Sequence, residues 1–113
     1  MEDISSCLKE IEERYNESEK LRFELKDYND SIQLSFLDTE RKVIIVINKD
    51  QGIEVKDETE DKEASVKFEF IEEKTLIDLF NQEIGELKAY SSGKVKVIEG
   101  KIKNLLKLKR LLF

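Results

Sequence analysis

Leu87-Lys88-Ala89-Tyr90-Ser91-Ser92-Gly93-Lys94-Val95-Lys96-Val97-Ile98-Glu99-Gly100 leads into the Leu- and Lys-rich run Lys101–Phe113. Gly93 and Gly100 bracket a short segment in which Val95 and Val97 point one way and Lys94 and Lys96 the other. That is the period-2 pattern of a strand with one buried face. After Gly100 the period becomes helical. At about 100° per residue, Ile102, Leu105, Leu106, Leu108, Leu112 and Phe113 fall on one broad apolar arc, opposite Lys103, Lys107 and Arg110. Lys109 breaks the pattern, lying within that arc beside Leu105, Leu112 and Phe113.

Working outward, the chain opens with an amphipathic helix over about Glu2 to Tyr15, with Ile4, Leu8, Ile11 and Tyr15 on a narrow stripe and Cys7 at its edge. Asn16-x-x-Glu19 has the form of a capping box launching a second helix. Leu21, Leu25 and Tyr28 have helical spacing, but Leu21, Phe23 and Leu25 also alternate like a strand. The cap and the good helix formers around them favour helix, which Asn29-Asp30 would end.

Ile32, Leu34 and Phe36 alternate with Ser31, Gln33 and Ser35, a strand with one polar face. Val43 to Ile47 is an unbroken β-branched run. Such a run predicts a strand covered on both faces, by helices on one side and something else apolar on the other. Lys49-Asp50-Gln51-Gly52 reads as a hairpin turn, and Ile53 and Val55 begin a third strand. The charged stretch Asp57 to Glu63 reads as a solvated loop before a fourth strand carrying Val66, Phe68 and Phe70. A helix from about Glu73 presents Leu76, Ile77, Leu79, Phe80 and Ile84, and one more helical turn covers Leu87 to Tyr90. The fold class is therefore α+β: a mostly antiparallel five-stranded sheet covered by N-terminal helices and by helices after strands 4 and 5.

At 113 residues the expectation is one domain spanning 1–113. No apolar run is long enough for a membrane span, and no signal-peptide pattern opens the sequence. The single Cys7 permits no internal disulfide, which fits a reducing cytoplasm. The net charge of −6 argues against nucleic acid. It is unevenly spread: Lys88–Phe113 carries eight bases and one acid, net +7, while Met1–Leu87 carries 12 bases and 25 acids, net −13. This polarity steers an anionic ligand or membrane towards the C-terminal end, or the two parts simply complement each other across the fold.

Catalysis finds little support. With no His there is no Ser–His or Cys–His pair and no imidazole for zinc, and one Cys cannot supply the remaining ligands. There is no phosphate-binding glycine loop. The acids at 57–63 lack EF-hand spacing and its central glycine, and no two of the 26 acids stand out as a catalytic pair. No metal or cofactor is expected.

The run Ala89–Gly100, followed by Leu106-Lys107-Leu108, resembles the C-terminal signature of the sterol carrier protein-2 family. There an alanine, an aromatic, a Gly-Lys strand and a second glycine lead into a Lys-Leu-bearing helix. The resemblance is gapless from about Thr75 to Leu111 and looser through Ile32 to Glu69. It implies an apolar tunnel between the sheet and its covering helices, holding a fatty acid, acyl-CoA or other apolar lipid without catalysis. Carried across, the lipid-binding candidates are Phe36, Leu76, Phe80, Ile84, Tyr90, Leu105, Leu108 and Leu112, each of which would serve equally as core. Lys109 stands where family members often carry Gln. Two readings stay open for it: an ammonium snorkelling past the core edge, or a partner for a lipid carboxylate or phosphate at the tunnel mouth. The sequence also departs from the family pattern. Gln82 replaces a common helix-ending Gly, which implies a different cap geometry; Gly85-Glu86 stands where a Pro is frequent; and Phe113 is not a peroxisomal Ser-Lys-Leu type ending. The partners implied are an apolar or anionic lipid and, transiently, a membrane surface. Rival readings are a membrane- or protein-interaction module using the basic last helix, and an accessory domain of a separately encoded enzyme.

Overall fold

A computed structural model describes residues 4–48 and 50–112, apart from the side chain of Arg110. The first helix, α1 (Ile4–Glu17), buries Ile4, Cys7, Leu8, Ile11 and Tyr15; its expected start at Glu2 lies outside the described residues. The second, α2 (Glu19–Glu24), is capped by Ser18, whose Oγ accepts a hydrogen bond from the Leu21 N–H at 3.1 Å. The expected Asn16 box is not used, because α1 runs through Asn16 to Glu17. A serine at extended φ/ψ, three residues before an unbonded N–H, satisfies that donor equally well. Leu21 and Leu25 are buried while Phe23 points to solvent, so the helical period wins over the strand alternation.

Five strands follow or separate the remaining helices: β1 (Asp30–Phe36), β2 (Lys42–Asn48), β3 (Gly52–Lys56), β4 (Val66–Phe70) and β5 (Val95–Glu99). They form one sheet in the order β3-β2-β1-β4-β5. All neighbours are antiparallel except β1 and β4, which run parallel at the centre with Ile32 opposite Val66 and Phe36 opposite Phe70. The α+β class with a mostly antiparallel sheet is thus as expected, with one parallel pair. Period 2 places Ile32, Leu34 and Phe36 with Val43, Ile45, Ile47, Val66, Phe68 and Phe70 on one face, and all nine are buried. The Phe36 and Phe70 rings stack across the parallel pair, centroids 5.1 Å apart. The hairpin turn falls partly on Lys49, outside the described residues; next to it, Asn48 Oδ1 accepts the N–H groups of Asp50 and Gln51.

The other sheet face differs from expectation. Ser31 and Gln33 are buried, as is Ile44, but the segment pinned over this side is the charged 57–63 stretch rather than something apolar. Gln33 Oε1 accepts from the Asp61 N–H at 2.7 Å, and Gln33 Nε2 donates to the carbonyls of Val43 and Thr59. Ser31 Oγ donates to Asp61 Oδ2 at 2.7 Å. That bond and the Glu63 N–H hold the Asp61 carboxyl below its usual pKa. The stretch is solvated on its outside and anchored by hydrogen bonds underneath.

Helix α3 (Glu73–Phe80) ends in a Schellman motif. The Glu83 N–H bonds to the Asp78 carbonyl at 2.8 Å and the Gln82 N–H to that of Leu79 at 3.2 Å, with Gln82 at φ +60°. Gln82 therefore occupies the glycine position with the glycine's own geometry, contrary to the expected change of cap. Helix α4 (Glu86–Ser91) closes the same way, with Gly93 at φ +77° and the Lys94 N–H bonded to the Ala89 carbonyl. In β5 Val95 is buried, but Val97 is 37% exposed, because the sheet ends at this edge and a register shift lies opposite. The last helix, α5 (Ile102–Leu112), packs on α1 and α2.

Candidate functional site

Strand β1 supplies Phe36, and the other candidate side chains come from α3, the turn after it, α4 and α5, with α3 packed on β4, α4 on β5 and α5 on α1 and α2. Phe36, Leu76, Leu108 and Leu112 are fully buried in the main core. Phe80, Ile84, Tyr90 and Leu105 are half-buried and pack against that core from its rim. The structure thus sorts the eight apolar candidates into an inner group and a rim group. Ile84 comes from the turn after α3 rather than from the helix itself, since the Schellman motif has already ended α3 at Phe80.

The apolar face of α5 lies elsewhere than its full arc suggests. Leu108, Leu111 and Leu112 are buried and Leu105 half-buried, whereas Ile102 and Leu106 face solvent. Leu111, missing from the expected arc, is completely buried and shifts the centre of the arc away from Lys109. Lys109 consequently sits on the outer flank. Its side chain is 59% exposed, with Nζ 3.6 Å from Glu86 Oε2 on α4. Phe113, part of the expected arc, and the Arg110 side chain, expected opposite it, lie outside the described residues. Gly100, at φ +153°, lets the chain pass close to Leu105: a Cβ there would come within 3.1 Å of the leucine Cδ2.

Two polar groups mark the two ends of this helical layer. At one end Tyr90 lies beside Glu86, and its hydroxyl is pushed up to about 12, first by burial and then by the carboxylate. At the other, Arg14 places its guanidinium 4.2 Å from the Phe80 ring centroid, donates to the Leu111 carbonyl at 3.4 Å and pairs with Glu10 at 3.2 Å. One side chain thereby ties α1, α3 and α5 together, by cation–π attraction and by serving an otherwise unbonded helix-end carbonyl. Sequence reasoning missed Arg14; the available signal was its place in the last turn, one residue from the buried Tyr15. Within the layer, the Thr75 hydroxyl is buried without a hydrogen-bond partner.

A separate open hollow of about 530 Å³ lies on the charged side, lined by Thr39, Glu40, Arg41, Lys42 and Glu58–Glu60. Its cations are already engaged: Arg41 with Asp57 and Glu73, Lys42 with Glu60. The Arg41 hydrogen bond holds the Asp57 carboxyl below its usual pKa. The hollow has the character of a salt-bridged seam.

The buried core is thus rimmed by half-buried apolar side chains from α3, the turn after it, α4 and α5. The family model for the SCP-2 sterol transfer family matches residues 8–113. The chain belongs to that family. No curated protein matches the SCP-2 chain by sequence. Among solved structures it is similar to the sterol carrier protein domain 2 of Helicoverpa armigera, with TM-score 0.71, 22% identity, and 96% of this chain and 84% of that one covered. A UbiJ-SCP2 ubiquinone synthesis protein gives TM-score 0.69 at 14% identity, covering 96% and 90%. The stereoselective inverting sec-alkylsulfatase Pisa1 from Pseudomonas sp. gives 0.65 at 16% identity, covering 80% of the SCP-2 chain. The SCP-2 chain spans only 14% of that sulfatase's length. At these identities the likenesses establish the SCP-2 fold. Family membership gives lipid binding and transfer as the coarse activity.

Proposed function

We propose that the chain is a single, non-enzymatic lipid carrier acting in the cytoplasm, which holds a fatty acid, acyl-CoA or similar apolar lipid in a tunnel between the sheet and helices α3–α5. The observation that carries this reading is the rim of half-buried Phe80, Ile84, Tyr90 and Leu105 around a buried sheet face, in a chain of the lipid-transfer family. Rim side chains with partial exposure can rotate aside with little loss of packing, while Phe36, Leu76, Leu108 and Leu112 give the inner wall its apolar surface. Burial of an acyl chain drives binding at about 0.8 kcal/mol per methylene. The unpartnered Thr75 hydroxyl offers a hydrogen bond to a ligand oxygen. Lys109, paired only loosely with Glu86, exchanges that partner for the carboxylate of the ligand at the mouth.

The test is native mass spectrometry of the purified protein, with organic extraction of what it carries. A discrete added mass released as a lipid supports the reading. A bare mass that stays bare after incubation with fatty acid and acyl-CoA overturns it.

A second reading has its own observation: the fold is similar to a minor part of an enzyme, the Pseudomonas sulfatase. On this reading the chain is an accessory domain presenting lipid to a separately encoded enzyme. Recovery of a stable complex from native extract would favour it, and a protein that purifies alone while shuttling lipid between vesicles would not.

A further inference from the structure

The sheet has two edges, β3 and β5, and they are not equivalent. The β4–β5 pairing contains a register shift at Lys67/Phe68, and a bulge of this kind twists an edge away from further pairing. β3 pairs with β2 without a shift, from Gly52 opposite Asn48 to Lys56 opposite Ile44. It contains no proline. Ile53 and Val55 turn to the core side and pack against the buried cluster, while Glu54 and Lys56 are exposed on the other face. β3 is thus an open template for another strand.

Hydrogen-bond parity decides which groups that template offers. The Phe36 N–H bonds to the Arg41 carbonyl at 2.9 Å. Alternation in an antiparallel ladder then turns the odd-numbered residues of β2 towards β1 and the even-numbered ones towards β3. The Thr59 N–H on the Lys42 carbonyl agrees with this. Asn48, Val46 and Ile44 therefore bond Gly52, Glu54 and Lys56, their register partners. The N–H and C=O groups of Ile53 and Val55 are left pointing out of the sheet.

The side chains select the occupant. Directly opposite residues of an antiparallel pair share a face, so a two-fold axis between two copies of β3 must pass through a residue, not between residues. An axis at Glu54 opposes two carboxylates, and one at Lys56 opposes two ammoniums. An axis at Ile53 pairs only Gly52 to Glu54 within the strand. An axis at Val55 sets Glu54 against Lys56 of the second copy twice over, and lets the two Val55 residues exchange both backbone bonds. Within its own sheet Glu54 faces Val46 and Lys56 faces Ile44, which offer no opposite charge.

We infer that β3 pairs antiparallel with β3 of a second copy of this chain about a two-fold axis at Val55, joining the two five-stranded sheets into one. The dimer is independent of the carrier reading, because β3 lies at the opposite end of the sheet from β4 and β5, on which α3 and α4 pack. A pairing of five-residue strands buries less than a standard interface, so dilution dissociates it.

The experiment is sedimentation equilibrium of the full chain over a dilution series starting at about 1 mM. The parent is expected to show a monomer–dimer equilibrium that stops at two copies. Val55→Pro removes an outward N–H and no bond to β2, so it should abolish the dimer with an unchanged circular dichroism spectrum. Glu54→Lys and Lys56→Glu each place like charges at both cross-strand positions and should weaken self-association at least about tenfold. Mixed in equal amounts, these two variants should form a heterodimer about as tight as the parent dimer, since every cross-strand pair is again one lysine with one glutamate. A parent that stays monomeric throughout, or that assembles beyond two copies, overturns the pairing. So does a mixture that associates no better than either variant alone, a comparison that holds even if Val55→Pro fails to fold.

Discussion

Gln82 holds a left-handed backbone conformation at the end of α3 that a side chain with a Cβ disfavours. Because the Schellman hydrogen bonds are complete around it, Gln82→Gly is expected to remove the strain and keep the bonds. Net of the extra chain entropy of glycine, the gain is about 0.5–1 kcal/mol, read as a higher thermal midpoint. Tyr90 has a different kind of signature. Its folded pKa, pushed up to about 12, exceeds that of the unfolded phenol. Stability tied to the neutral hydroxyl is therefore present below about pH 10 and is lost as pH rises from there through 12. In an ultraviolet titration Tyr90 should ionise late, and Tyr28, also raised by burial, should ionise above the ordinary phenol range. Glu86→Gln should move that titration to lower pH, because the carboxylate adds to the upward shift; an unmoved curve would assign the shift to burial alone. Neither residue could be ranked from sequence. The family pattern marked Gln82 as standing at a helix-ending glycine position but suggested a changed cap rather than the glycine's own backbone, and Tyr90 owes its pKa to a packing that periodicity does not specify.

Among the elements, α5 shows where a periodic pattern stops being informative. Its leucines occupy nearly every side of the helix, so the pattern identified a helix without saying which leucines face inward. Contact with α1 and α2 decides in favour of Leu108, Leu111 and Leu112. Leu111→Ala is accordingly expected to cost about 2–5 kcal/mol, while Leu106→Ala should change stability by less than about 0.5 kcal/mol; urea melts of the two variants make the comparison. The strands were more legible, since one buried face fixes a period-2 register strongly. What the strands concealed was the cover on the polar side of β1. Charged residues at 57–63 suggested solvent, yet buried Gln33 bonds Asp61, Val43 and Thr59 at once. Gln33→Ala should leave the sheet intact and release that segment. Faster tryptic cleavage after Lys62, with an unchanged circular dichroism spectrum, is the expected result.

For the whole molecule, the family was legible from one ordered run of residues, Ala89 to Leu108, and the α+β class from strand and helix periods. The division of the candidate residues between inner wall and rim was not, because exposure depends on the tertiary position of a side chain and not on its type. The rim carries the ligand predictions. A bound fatty acid should raise the thermal midpoint in a concentration-dependent way, since it binds the folded state alone. Lys109→Met should weaken binding of the free acid more than that of its methyl ester, by about tenfold if the ammonium meets the carboxylate directly. Equal losses for both ligands would assign Lys109 to its contact with Glu86.

The parallel pairing of β1 with β4 also has a kinetic meaning. Ile32 meets Val66 only after β2, β3 and the acidic segment have been laid down between them, so the centre of the sheet is its most non-local junction. Closing that loop costs entropy before any contact repays it. The β1-β2-β3 meander can assemble earlier from neighbouring segments. Folding is therefore expected to wait on the arrival of β4, and the Asp61 bonds to Gln33 and Ser31 act as a latch that shortens the search by holding the intervening chain against β1.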